Sequence, residues 1–63
     1  MRTLHKEFVI DVRASPSVSG WTASATFSGA GNENVTVVCR KETELGANLA
    51  ALAEARRLID GGS

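Results

Sequence analysis

From Gly20 to Ser28 the chain alternates almost without error. Trp21, Ala23, Ala25 and Phe27 share one parity, and Thr22, Ser24, Thr26 and Ser28 share the other. A period of two marks a strand with unlike faces, here one apolar and one small and hydroxyl-bearing. Residues 4–13 follow the same rule. Leu4, Phe8, Ile10 and Val12 are apolar on even positions, His5, Glu7, Asp11 and Arg13 are polar on odd ones, and Lys6 and Val9 are the two exceptions. The pattern predicts a strand over about 4–13, an exposed loop at "ASPSVSG", a second strand over 20–28 and a tight turn at "GAGNEN". A third strand follows over 34–40, with Val35, Val37 and Cys39 on one parity and Thr36, Val38 and Arg40 on the other.

The period then changes. From Thr43 to Asp60 the chain is rich in Ala, Leu, Glu and Arg, which are strong helix formers. Thr43 is placed to cap the N-terminus, Glu44 complements the positive end of the dipole, and Gly61-Gly62 supply a stop. At 100° per residue Leu45, Leu49, Leu52 and Ile59 form one stripe flanked by Ala53 and Ala55. Leu58 falls with Ala47 and Ala51 on the opposite side, and Arg56 points near the apolar stripe, where its stem is expected to snorkel.

The expected fold class is therefore α+β: a three-stranded antiparallel meander followed by one C-terminal helix packed on one sheet face, β-β-β-α, as a single domain over 1–63. Matching inward residues across short loops pairs Val12 with Trp21, Ile10 with Ala23, Phe27 with Val35 and Ala25 with Val37. On the outer face the same register gives the rows Asp11–Thr22–Arg40, Val9–Ser24–Val38 and Glu7–Thr26–Thr36. His5 is expected on that wet face and Cys39 on the buried one.

Composition narrows the class of function. The 63 residues are 43% hydrophobic and 22% charged, as in a folded domain, and seven basic residues balance seven acidic ones. A nucleic-acid binder usually carries a basic excess, because counterion release supplies much of its affinity. The single cysteine forms no internal disulfide, and with the lack of a leader-like or membrane-spanning apolar run this gives the expectation of a cytoplasmic chain without a membrane partner.

Candidate chemistry is sparse. His5 and Cys39 fall on opposite faces, so no nucleophilic dyad is expected, and Glu7 and Asp11 stand about 13 Å apart along one strand, too far to chelate an ion together. "GAGNEN" lacks the third glycine of a dinucleotide fingerprint and leads into a strand. No enzymatic activity, metal or cofactor is expected. Arg40 and Lys41 precede the helix and Arg56 and Arg57 end it, roughly 25 Å away, so no continuous basic stripe forms. Arg40 and Lys41 with the Thr/Ser face remain the candidate nucleic-acid contacts, as the alternative to a protein interface. That interface is assigned to Val9, Ser24, Val38 and Leu58, apolar or small positions outside the core, which point to a homo-oligomer or a small protein partner.

A strand, an aromatic-opened "GWTASATF" strand, a third strand and a Thr/Glu-started alanine-rich helix together resemble the HicB-like antitoxin domains and similar small bacterial β-β-β-α proteins. The residues that carry the likeness are Trp21, Ala23, Ala25, Thr43, Ala51, Ala55 and Ile59. The resemblance implies a core described as a partial RNase H or double-stranded-RNA-binding-like fold, and in some members the neutralisation of an mRNA-cleaving toxin. RNase H catalysis would need a carboxylate cluster that this chain does not supply.

Overall fold

A computed structural model describes residues 1–28 and 34–61. It contains β1 (Arg2–His5), β2 (Phe8–Ser17), β3 (Gly20–Ser28), β4 (Asn34–Lys41) and α1 (Glu44–Gly61). The strands form one antiparallel sheet in the order β1-β2-β3-β4. The α+β class is as expected, but the sheet has four strands and not three. The expected strand over 4–13 breaks at Lys6 and Glu7, whose φ values of 48° and 73° are left-handed. Two such residues in succession make the tight turn that matches the twist of a hairpin. The chain reverses there, and His5 lies opposite Phe8 and Leu4 opposite Val9. This pairing joins even positions of β1 to odd positions of β2. Leu4 and Val9 therefore share the outer face, while His5 moves to the helix side, contrary to its expected place.

β2 also continues where a loop was expected. Its last residue, Ser17, lies opposite Gly20, so only Val18 and Ser19 remain as a turn. Pro16 is tolerated for a reason of direction. Val12 turns its backbone groups toward Met1, where N–H to O is 2.6 Å, so by alternation those of Pro16 point the same way. β1 does not extend that far, and the missing N–H costs no ladder bond. The longer strand moves the β2–β3 register by four positions: Val12 lies opposite Ala25 instead of Trp21, and Ala14 instead of Ile10 lies opposite Ala23. An even displacement preserves the faces. The β3–β4 register, with Phe27 on Val35 and Ala25 on Val37, is the expected one. The "GAGNEN" turn falls largely on 29–33, outside the described residues.

The core joins Ile10, Val12, Ala23, Ala25 and Phe27 of the sheet to Ala47, Ala51, Leu52, Ala55 and Ile59 of α1, with Trp21 packed at its margin. Phe8 meets Phe27 edge to face at 6.0 Å. The helix begins as expected: Gly46 N–H donates to Thr43 Oγ1 at 3.0 Å, and Ala47 N–H donates to the Thr43 carbonyl at 2.9 Å. Its buried face is rotated from the expected stripe, of which Leu52, Ala55 and Ile59 are covered as expected and the other members are not. Leu45 and Leu49 are 67% and 53% exposed, Ala53 is exposed, and the alanines at 47, 51 and 55 are wholly covered. The centre of β3 offers only Ala23 and Ala25, and small residues on both surfaces let helix and sheet approach closely. Leucines at those positions would hold the two layers apart. With the stripe rotated, Arg56 is simply exposed, and Leu58, expected on the far side with Ala47 and Ala51, lies at the rim of the packed face.

One glycine is fixed by close approach. A Cβ on Gly20 would sit 2.5 Å from the Lys41 carbonyl oxygen, where β4 turns toward the helix. Any side chain there would force two backbone segments apart.

Candidate functional site: an open sheet edge

The backbone hydrogen bonds of the sheet can be followed strand by strand. The Met1 amino group donates to the Val12 carbonyl at 2.8 Å and the Val12 N–H donates back to Met1, so Val12 faces β1 with both of its backbone groups. In an antiparallel ladder successive residues turn these groups to opposite sides. Asp11 and Arg13 therefore bond to Thr26 and Ser24 of β3. Ala23, Ala25 and Phe27 turn toward β4 and are answered by Cys39, Val37 and Val35. What remains is the row Asn34, Thr36, Val38 and Arg40, whose N–H and C=O groups point away from the sheet. Among the described residues no strand lies beyond β4 and no other backbone bond reaches this row.

The two edges of the sheet differ. β1 is four residues long, carries Arg2, and is followed by the cationic turn residue Lys6. Short length and charge are the usual means of making an edge unattractive to another strand. β4 is eight residues long, has no proline, and presents Val38 at 64% exposure beside half-buried Val35, Val37 and Cys39. Its cations, Arg40 and Lys41, stand only at its C-terminal end.

On the outer face two of the hydroxyls of β3, those of Thr26 and Ser28, are met sideways. Thr26 Oγ1 and Thr36 Oγ1 are 3.2 Å apart, Ser28 Oγ donates to Asn34 Oδ1 at 3.2 Å, and Arg2 spans to both carboxylate oxygens of Asp11 at 3.4 Å. The rows are Asp11–Thr26–Thr36, Arg13–Ser24–Val38 and Ser15–Thr22–Arg40. The β3–β4 halves of these rows are as expected and the β2 members are not. Val9 does not flank Ser24; it lies opposite Leu4 on the same outer face, toward the β1 edge. Of the four residues assigned to an interface, the structure brings together Ser24 and Val38 alone. Arg40 and Lys41 also separate, since neighbours on a strand face opposite ways: Arg40 joins the outer face, and Lys41 lies on the helix side, with its stem 3.5–4.0 Å from where a Gly46 Cβ would be. Arg13, which sequence reasoning passed over, stands beside Ser24. Its outward parity was the signal available.

On the helix side the β1–β2 turn is tied to the end of α1. His5 Nε2 donates to Asp60 Oδ1 at 2.9 Å, and Lys6 Nζ lies 3.0 Å from the same oxygen. The hydrogen bond from His5, then that from Lys6, holds the Asp60 carboxyl below its ordinary range. Arg57 bonds to Glu54 one turn earlier and holds that carboxyl down as well. Cys39 is a free thiol on β4, and His5 is on β1 at the far edge, so the two do not meet. Among the described residues no group of three His, Cys, Asp or Glu side chains converges, and no helix is long and apolar enough to cross a membrane. Comparison of the chain with protein-family models, with characterised proteins and with solved structures finds no match.

Proposed function

We propose that this domain is a non-enzymatic interaction module that takes a partner's strand along the open edge of β4. The observation that carries the reading is the row of outward backbone groups on Asn34, Thr36, Val38 and Arg40. In strand addition the main chain supplies affinity, and the alternating side chains supply specificity. Here those are Val35, Val37 and Cys39 toward the helix side and Thr36 and Val38 toward the outer face. The likeness to HicB-like antitoxin domains, which act through a protein partner, supports the same class of function from the sequence.

A proline placed at Val38 tests this. The Val38 N–H points outward, so Val38→Pro removes an edge donor without removing a bond to β3. Binding of a co-purifying partner from the native cells is expected to be lost in Val38→Pro and retained in Ser24→Lys, which alters only the outer face. The reverse pattern refutes the edge.

A second reading rests on Arg13 and Arg40. Among the described residues both lie on the outer face without an ion pair, and Asp11 on that face is engaged by Arg2. The face is thus net basic in a chain of zero net charge. On this reading single-stranded RNA lies across the hydroxyl face, with binding that weakens steeply with salt and falls in Arg13→Ala and Arg40→Ala. No binding at about 50 mM salt removes it.

A further inference from the structure

The open edge of β4 fits a second copy of itself, and we infer that the partner strand is β4 of another chain, paired antiparallel about a two-fold axis through Val37. This rests on the edge reading above and narrows it to one occupant. In an antiparallel pair, residues directly opposite share a face, so a two-fold perpendicular to the sheet must pass through a residue, and the registers differ by steps of two. Centred on Val37, every outward-turned residue finds a partner that is itself outward-turned. Asn34 bonds Arg40 of the second copy, Thr36 bonds its Val38, and the two-fold repeats both. Centring on Val38 leaves Asn34 opposite Glu42, which lies outside the strand, and centring on Thr36 leaves Arg40 opposite position 32, outside the described residues.

The side chains agree with that choice. Val37 meets its own copy and Val35 meets Cys39 on the helix side, so the half-buried apolar row of one chain continues into the other. The exposed Val38 is covered by the methyl of Thr36. The cations do not oppose each other: Arg40 faces the carboxamide of Asn34, whose oxygen can accept from the guanidinium. The product is an eight-stranded sheet that carries both helices on one face and doubles the hydroxyl face on the other. Its remaining edges are the short, charged β1 strands.

Cys39 provides the measurement. In the Val37-centred register residues 35 and 39 of opposite chains form a non-hydrogen-bonded pair with Cα atoms about 4.5 Å apart, within disulfide range. With oxidised glutathione as the oxidant, Val35→Cys is expected to give a covalent dimer on a non-reducing gel, while the wild type and Thr36→Cys stay single chains. In the wild type, without any substitution, sedimentation is expected to show the mass doubling from micromolar to millimolar concentration. The amides of Thr36, Val38 and Arg40 are expected to gain exchange protection over the same range. A covalent dimer from the wild type would mean that Cys39 faces Cys39, which overturns the register. A chain that remains a monomer at millimolar concentration, with those amides unprotected, overturns self-pairing. If binding of another partner were still abolished by Val38→Pro in that event, the edge reading would stand and only its occupant would be wrong.

Discussion

Replacing Glu7 by glycine should stabilise this protein, although the change removes a side chain and loosens the unfolded chain. Glu7 occupies the second position of the β1–β2 turn at φ 73°, where Gly is the favoured residue. A left-handed conformation costs a residue with a Cβ about 1–2 kcal/mol, which glycine escapes. Against this, the extra freedom of glycine in the unfolded chain costs about 0.4–1 kcal/mol. Glu7 makes no hydrogen bond or ion pair among the described residues, so no interaction is lost in exchange. The balance is a gain of about 0.5–1 kcal/mol. For a domain of this length that corresponds to a rise in Tm of about 4–8 °C by circular dichroism. The sign is what matters. If residues 4–13 were one continuous strand, the same substitution would weaken it by about 0.5–1 kcal/mol, because glycine is unfavourable inside a strand. A Tm that falls in Glu7→Gly would refute the hairpin, and with it the placement of His5 and Leu4.

Other substitutions probe the remaining features. Leu49→Lys should change stability by no more than about 0.5 kcal/mol in urea unfolding, while Ala51→Leu should cost about 1–3 kcal/mol by overpacking the helix–sheet seam; the opposite order would restore the leucine stripe as the buried face. Gly46→Ala should fail to deliver the gain of about 1 kcal/mol that helix propensity promises, because the new Cβ would lie 2.8 Å from Thr43 Oγ1 and displace the capping hydroxyl. Asp60 bears on the acid limb. Its carboxyl titrates lower in the folded protein than in the unfolded chain, so its contribution is complete above about pH 4 and is lost as the pH falls through the folded value. Asp60→Asn should therefore flatten the loss of stability below about pH 4, and an unchanged acid limb would show that the contact with His5 and Lys6 has no energetic role.

The parts of the fold legible in the sequence were those that a local pattern determines. The alternation of β3 and β4 fixed their faces, and a short connection fixed their register, so the Ser24–Val38 neighbourhood was visible in advance. Thr43 was legible as a cap because its chemistry is local. The hairpin at Lys6-Glu7 was hidden because neither residue is Asn or Gly. Its trace was the parity error at Lys6, which the turn takes out of the strand pattern, while Val9 lies on the outer face in either reading. Pro16 concealed the length of β2, since its tolerance depends on β1 ending before it, a fact of tertiary structure. The helix phase was misjudged because hydropathy ranks leucine above alanine, whereas the seam is set by the size of Ala23 and Ala25 opposite. Val9 left the candidate interface for the same non-local reason as the register: its neighbours depend on how far β2 extends.

Why the edge outweighs the outer face follows from how each surface can satisfy its polar groups. On the face, several groups find partners within the sheet, as Thr26 does with Thr36 and Arg2 with Asp11. A ligand laid over them must replace bonds that already exist, and the net gain per neutral hydrogen bond is only about 1 kcal/mol. The outward row of β4 has no such partner among the described residues. Its groups are held in register by the ladder behind them, open to water or to another strand. Water meets them without the side-chain contacts that Val35, Val37 and Val38 would gain from a strand. Most of the ordering such a partner exploits has already been imposed by folding, which is what makes a fixed edge a stronger template than a loop of equal length. The core reinforces this. Its largest fully buried side chains are Ile10 and Val12, and the rest of the seam is mainly alanine. A domain with so small a payload of buried apolar surface has most to gain from extending its sheet, so stability and partner binding should rise together with concentration. Thermal unfolding of wild type and Val38→Pro at matched dilutions measures that coupling directly. A Tm that climbs with concentration in the wild type alone is the expected result, and parallel curves would show that the edge contributes nothing to the folded state.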